Sequence, residues 1–323
     1  MKRLYICLHV AIYFLPLFAQ TENQLTVSEI RQQTILNEPL TLQKGYFRIE
    51  TQLNYLSFST DWYNNNWKKV TNYGYLSNNI VAPFALSYGI TNNIELNISS
   101  SYKYSKTYKS YNTYDYYRIA QYLHDTTNIS NGFADISIST IYQIVNENQK
   151  YPLMGIELLL NIPYGKKEST LSNDSTTIYE AVSQGDYDLG IGYLIKKVFY
   201  PFSISSGIGY VYRFPIDLEL DYSNNIRTHV KYGDYLNFNM TLNYMPCDWI
   251  DLGNTISCTY NGKPQYTINN YSYSGVVTAY SQWNPFITFQ IKNIRLSQGL
   301  YIYIIGKNTN ATSRAYFSLA IKI

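Results

Sequence analysis

The sequence predicts an all-β protein: a transmembrane antiparallel up-and-down β-barrel of about 12 strands with both termini on the periplasmic side. Three observations predict it. Hydrophobicity repeats with period two beyond Gly45, short turns alternate with long polar loops, and the composition is rich in aromatics and poor in charge.

The stretch from Ile94 to Ser105 shows the period most plainly. Ile94, Leu96, Ile98, Ser100, Tyr102 and Tyr104 share one face, while Glu95, Asn97, Ser99, Ser101, Lys103 and Ser105 share the other. Successive side chains of a strand point to opposite faces, so this is a strand with one apolar and one wet side. Phe47–Tyr55, Ile80–Ile90, Ala134–Ile144, Met154–Ile162 and Tyr187–Ile195 repeat the pattern, and further strands follow near Phe202–Arg213, Tyr235–Tyr244, Ile250–Asn261, Val276–Ile291, Ile294–Ile305 and Arg314–Ile323. Several exceed the roughly 5 to 6 residues usual in soluble sheets and match the roughly 9 to 11 that a tilted spanning strand needs. Strand length therefore favours a membrane barrel over a secreted β-sandwich or propeller.

Short connections fall at 91–93, 146–150, 196–200, 245–248 and 292–293, and long polar loops near 59–75, 106–131, 165–184, 214–232, 261–274 and 306–313. Lipid offers no partner to backbone N–H and C=O groups, so a spanning sheet must close on itself. Short turns at one end and long loops at the other then place the barrel over residues 45–323 in an outer membrane.

Only 15% of the 323 residues are charged, against about 25% in an average soluble domain. The chain opens "MKRLYICLHVAIYFLPLFAQ", with Lys2 and Arg3 ahead of an apolar run and Ala19 before Gln20. This reads as a secretory signal peptide over residues 1–19, cleaved near Ala19-Gln20. Its removal takes the formal charge from +3 to +1, with 23 basic against 22 acidic residues. So balanced a chain offers no field for nucleic acid. Cys7 leaves with the signal, and Cys247 and Cys258 form neither a disulfide framework nor a zinc pattern. No motif for a cofactor or a metal is present.

Residues 20–44 lack sustained alternation. They read as a periplasmic N-terminal extension, with a plug entering the barrel as the alternative. The tyrosines and tryptophans at strand ends and in loops, among them Trp62, Tyr63, Trp67, Tyr111 and Tyr117, suit the headgroup depth.

If the period holds, the charges of the wet face line the lumen: Arg48, Glu50, Glu95, Lys103, Asp135, Glu157, Asp186, Asp188, Arg213, Asp251, Arg295 and Arg314, with Lys322 at the end. Mixed signs fit either a structural network or a solute path. Catalytic patterns are poor. The mature chain has His124 and His229, both in expected outer loops, and nothing in the sequence sets a serine beside either. The chain is read as no enzyme.

"LSYGITNNIELNI" (Leu86–Ile98), "NGFADISISTIYQI" (Asn131–Ile144) and "NIPYGK" (Asn161–Lys166) resemble successive landmarks of the meta-pathway phenol-degradation family of outer-membrane transporters. Asn92 stands where that pattern commonly has an acidic residue, and the chain ends in Ile323 rather than an aromatic. The resemblance implies a barrel transporter. The functional expectation is a transporter or channel for small solutes, aromatic or hydrophobic ones among them, inserted by the outer-membrane assembly machinery. The alternative is a non-conducting barrel that binds a partner through its Tyr/Asn-rich loops.

Overall fold

The computed structural model describes residues 40–323, apart from short stretches at 58–60, 64–65, 67–68, 72–74, 115–120, 148–149, 167–169, 172–176, 180, 222–225, 269–270 and 311–312. The expected signal peptide and residues 20–39 lie outside the described residues.

Twelve antiparallel strands close into a barrel: β1 Phe47–Ser57, β2 Tyr75–Thr91, β3 Ile94–Tyr114, β4 Ile136–Val145, β5 Leu153–Ile162, β6 Asp188–Phe199, β7 Phe202–Arg213, β8 Tyr235–Cys247, β9 Ile250–Asn261, β10 Thr278–Ile291, β11 Ile294–Lys307 and β12 Arg314–Lys322. Each pairs with its sequence neighbours, and β1 pairs with β12 from Arg48↔Lys322 to Tyr55↔Ala315. Both ends of the described chain meet at the short-turn end, where the Phe47 and Ile323 backbones exchange hydrogen bonds of 2.9 and 2.8 Å. Closure leaves no spanning edge with bare N–H and C=O groups.

The period-two reading translates into two surfaces. Ile49, Leu53, Leu158, Leu189, Ile191 and Phe317 are about half exposed on the outside, while Arg48, Glu50, Gln52 and Asn54 between them on β1 are buried. An outside of this kind is matched to lipid rather than water. Its aromatic pairs include Phe47–Tyr88, Phe202–Tyr244 and Trp249–Phe289 near the turn ends.

The strand limits differ from expectation where polar residues continue a ladder. The segment 196–200 is not all turn: β6 runs to Phe199, the turn is Tyr200–Pro201, and Lys196 faces inward. The segment 245–248 is mostly strand, with the turn at Asp248–Trp249. The polar stretch 106–131 contains a long hairpin rather than irregular loop, since β3 continues to Tyr114 and pairs with Gln121–Phe133 in register from Tyr102↔Phe133 to Tyr114↔Gln121. Likewise, the connections after β7 and β9 fold together into a four-stranded sheet of Ile216–Asp221, Ile226–Lys231, Gln265–Ile268 and Tyr271–Ser274. Polar alternation marks a strand wet on both faces, which hydropathy cannot separate from loop.

Candidate lumen site

Alternation along each strand delivers the charges to one shared interior. Eleven of the twelve expected residues lie on or directly beside barrel strands with their side chains inward, and Asp186 just precedes β6; all twelve are at most 9% exposed. They gather into groups rather than one continuous field.

The first group sits at the short-turn end. Arg48 Nε lies 2.6 Å from Glu50 Oε1, and its Nη2 lies 3.2 Å from Glu95 Oε1. The second carboxylate oxygen of Glu95 accepts a hydrogen bond of 2.6 Å from the Leu42 backbone N–H. Residues 40–45 are tied down there by further bonds: Thr41 Oγ1 donates to the Asn92 carbonyl at 2.8 Å, the Lys44 N–H to Asn92 Oδ1 at 3.0 Å, and the Gly45 N–H to the Gly89 carbonyl at 2.8 Å. Thr41 and Leu42 are 1% and 2% exposed. A Cβ built on Gly89 would fall 2.1 Å from the Gln43 carbonyl oxygen, and one on Gly155 of β5 would fall 3.2 Å from Leu40 Cδ1. Glycine at both positions lets the segment cross against the inner wall from β2 to β5.

The second group sits towards the loop end. Arg213 Nε lies 3.9 Å from Asp186 Oδ2 and 3.8 Å from Asp188 Oδ1, with its guanidinium 5.0 Å over the Tyr235 ring. Asn161 Nδ2 donates to Asp188 Oδ2 at 2.9 Å. Asp135 accepts hydrogen bonds at 3.1 and 3.2 Å from the Tyr164 and Gly165 backbone N–H groups, which anchors the exit of β5 to the break between Phe133 and β4. A carboxylate sharing one guanidinium with another is held by the opposite charge and desolvated at the same time, so such a group is rigid and costly to disturb.

The third group occupies β9 to β12. Asp251, Arg295 and Arg314 are buried here beside the inward aromatic cluster of Phe286, Tyr301 and Tyr316. Arg314 lies 4.7 Å over the Tyr301 ring, and Tyr301 and Tyr316 lie 5.1 Å apart. These rings were not expected inside. Glycines make room for them, because a Cβ on Gly253 would fall 2.0 Å from Phe286 Cζ and one on Gly299 2.6 Å from the Tyr316 hydroxyl. Lys103 and Glu157 complete the expected set on β3 and β5, while Lys196, inward and 2% exposed, was assigned to a turn instead.

The histidines stand apart from the lumen groups. His124 is on the hairpin strand opposite Tyr111, and its side chain lies outside the described residues. His229 is in the four-stranded sheet, with Nδ1 2.9 Å from Asp217 Oδ1. Thr267 is its cross-strand partner and bonds Ser272 at 2.9 Å, so a hydroxyl stands nearer this histidine than the sequence alone indicates.

Comparison of the sequence with family models and with curated proteins gives no match. Among solved structures, an outer membrane channel from Pseudomonas putida F1 is similar with a TM-score of 0.63 at 11% identity, covering 90% of this chain and 99% of that one. The likeness establishes the fold alone, a closed twelve-stranded antiparallel β-barrel. The Ralstonia pickettii toluene transporter TbuX (TM-score 0.38, 8% identity, 88% and 89% covered) and the transport unit of the Escherichia coli autotransporter AIDA-I (0.43, 11%, 91% and 95%) resemble it more loosely.

Proposed function

We propose that the protein is an outer-membrane barrel that carries small, largely apolar solutes through its lumen. The observation that carries the reading is the division of the closed wall into a lipid-matched outside and an inside that combines buried charge groups with apolar and aromatic patches. Mixed charges alone suit a structural network as well, whereas their combination with apolar and aromatic patches offers an amphipathic solute both kinds of surface. The resemblance to the meta-pathway phenol-degradation family supports an outer-membrane barrel transporter. In this reading the signal peptide is cleaved near Ala19-Gln20, the short-turn end and both termini face the periplasm, and the assembly machinery inserts the chain.

The described part of the expected extension, residues 40–44, supports the plug alternative over a free extension. The support is at Thr41–Lys44, whose bonds to Glu95 and Asn92 hold the chain inside the short-turn end. The same bonds favour a second reading, a barrel closed at rest. Influx of small solutes into liposomes holding the folded protein separates them: uptake above protein-free liposomes supports a path, and none, before or after the Glu95 latch is broken, supports a closed structural barrel.

A further inference from the structure

The inner wall over β5 to β8 differs from the rest of the lumen. Its inward positions include Gly190, Gly192, Gly207 and Gly209, and Gly192 pairs with Gly209 across the strands. Their missing side chains leave a shallow hollow that opens onto the lumen. Three of the four glycines are already covered. A Cβ on Gly190 would fall 2.9 Å from Val211 Cγ2, one on Gly207 3.0 Å from Asn239 Oδ1, and one on Gly209 2.5 Å from Asn237 Oδ1. The two asparagine amides therefore lie flat over the glycines of the neighbouring strand. Gly192 is the open one, with its nearest neighbours, Glu157 and the Ile208 carbonyl, at 3.5 to 3.7 Å.

The hollow thus has a bare backbone floor at Gly192, apolar sides from Leu159 and Leu194, and a polar rim of Asn237, Asn239 and Glu157. Asn239 is only 7% exposed, yet among the described residues neither its amide nor that of Asn237 has a hydrogen-bond partner in the protein. Both amides open onto the lumen, where water can satisfy them until a ligand's own donor and acceptor take its place. Few convergent polar groups over an apolar hollow are the usual makeup of a small-molecule site.

We infer that this hollow is a binding subsite for a small, planar, uncharged amphiphile, an inference that rests on the reading of the lumen as a solute path. The floor without side chains accepts a flat ring between Leu159 and Leu194. The amides of Asn237 and Asn239 each offer both a donor and an acceptor, so they select a carboxamide or hydroxyl substituent over a bare hydrocarbon. The Glu157 carboxylate beside the floor offers a carboxylate ligand no donor.

The test titrates the full chain, folded in detergent micelles, with benzamide, toluene and benzoate, following the Gly192 amide resonance. Benzamide is expected to bind saturably and more tightly than either of the others. Asn239→Leu should weaken benzamide about tenfold, the worth of one neutral hydrogen bond, and Gly192→Leu should abolish saturable binding. Gly192→Ala, whose new methyl meets only ordinary contacts, keeps the test open if the leucine variant does not fold, and should weaken benzamide measurably. Wild-type affinity in folded Gly192→Leu or Gly192→Ala, or toluene or benzoate binding as tightly as benzamide, overturns the subsite. Liposome uptake separates it from the transport reading. Saturable binding without uptake upholds the subsite and removes the transport reading, whereas uptake without saturable binding at Gly192 does the reverse.

Discussion

Replacing Glu95 with glutamine tests the latch at the short-turn end. Glu95 is fully buried, and its partners include the Arg48 guanidinium at 3.2 Å and the Leu42 N–H at 2.6 Å. Glutamine keeps the shape and an acceptor oxygen but removes the charge. A hydrogen bond to a charged group is worth about 1.5–3 kcal/mol and a neutral one about 0.5–1.5 kcal/mol, so the Leu42 bond loses about 1 to 1.5 kcal/mol. Arg48 is not orphaned, because Glu50 remains 2.6 Å away. The net is roughly a tenfold rise in the population with residues 40–45 released, since 1.4 kcal/mol is a factor of ten. Glu95→Ala removes the Leu42 bond altogether, a loss of about 1.5–3 kcal/mol, while Glu50 still neutralises Arg48. Hydrogen exchange of the Leu42 amide in the folded protein reads this directly. It should quicken about tenfold in Glu95→Gln and more in Glu95→Ala, with exchange in the strands unchanged. An unchanged Leu42 rate in both variants would refute the latch.

Three further outcomes follow from the same geometry. Gly89→Ala sets a methyl 2.1 Å from the Gln43 carbonyl oxygen, so it should free residues 40–44 without any change of charge and match Glu95→Ala in Leu42 exchange. Leu158→Lys puts a charge on the outer face, where the native side chain is 56% exposed; it should cost about 2–4 kcal/mol at bilayer mid-depth, read as a lower folding yield into lipid vesicles. Gly253→Val collides with Phe286 and should destabilise the barrel by about 1–3 kcal/mol through overpacking. Phe286→Leu in the same chain should restore part of that loss in denaturant titrations.

The faces of the strands were legible because a half-buried strand writes its orientation into alternate residues, as Glu95 and Lys103 do between Ile94, Ile98 and Tyr102. The same rule sets Arg48, Glu157 and Asp251 inward without any knowledge of their partners. Features that depend on cross-strand register were not legible. Tyr301 and Tyr316 look like two more of the chain's 37 tyrosines until Gly253 and Gly299 are seen to make room for the aromatic cluster. The hollow at Gly192 joins residues from β5 to β8, and no single segment carries its signal. Lys196 reads as a turn residue because a second lysine follows it, although only the first points inward. The four-stranded sheet outside the barrel brings two separate connections together, a long-range pairing that local polarity does not encode.

The central claim is that the lumen conducts small solutes. Planar-bilayer recording of the full-length protein, with Glu95→Ala beside it, tests it most directly. The account predicts discrete current steps from the wild type and longer or larger openings once the latch is broken. Correctly folded barrels of both proteins that insert into the bilayer and pass neither current nor small solutes above the bare membrane would contradict it.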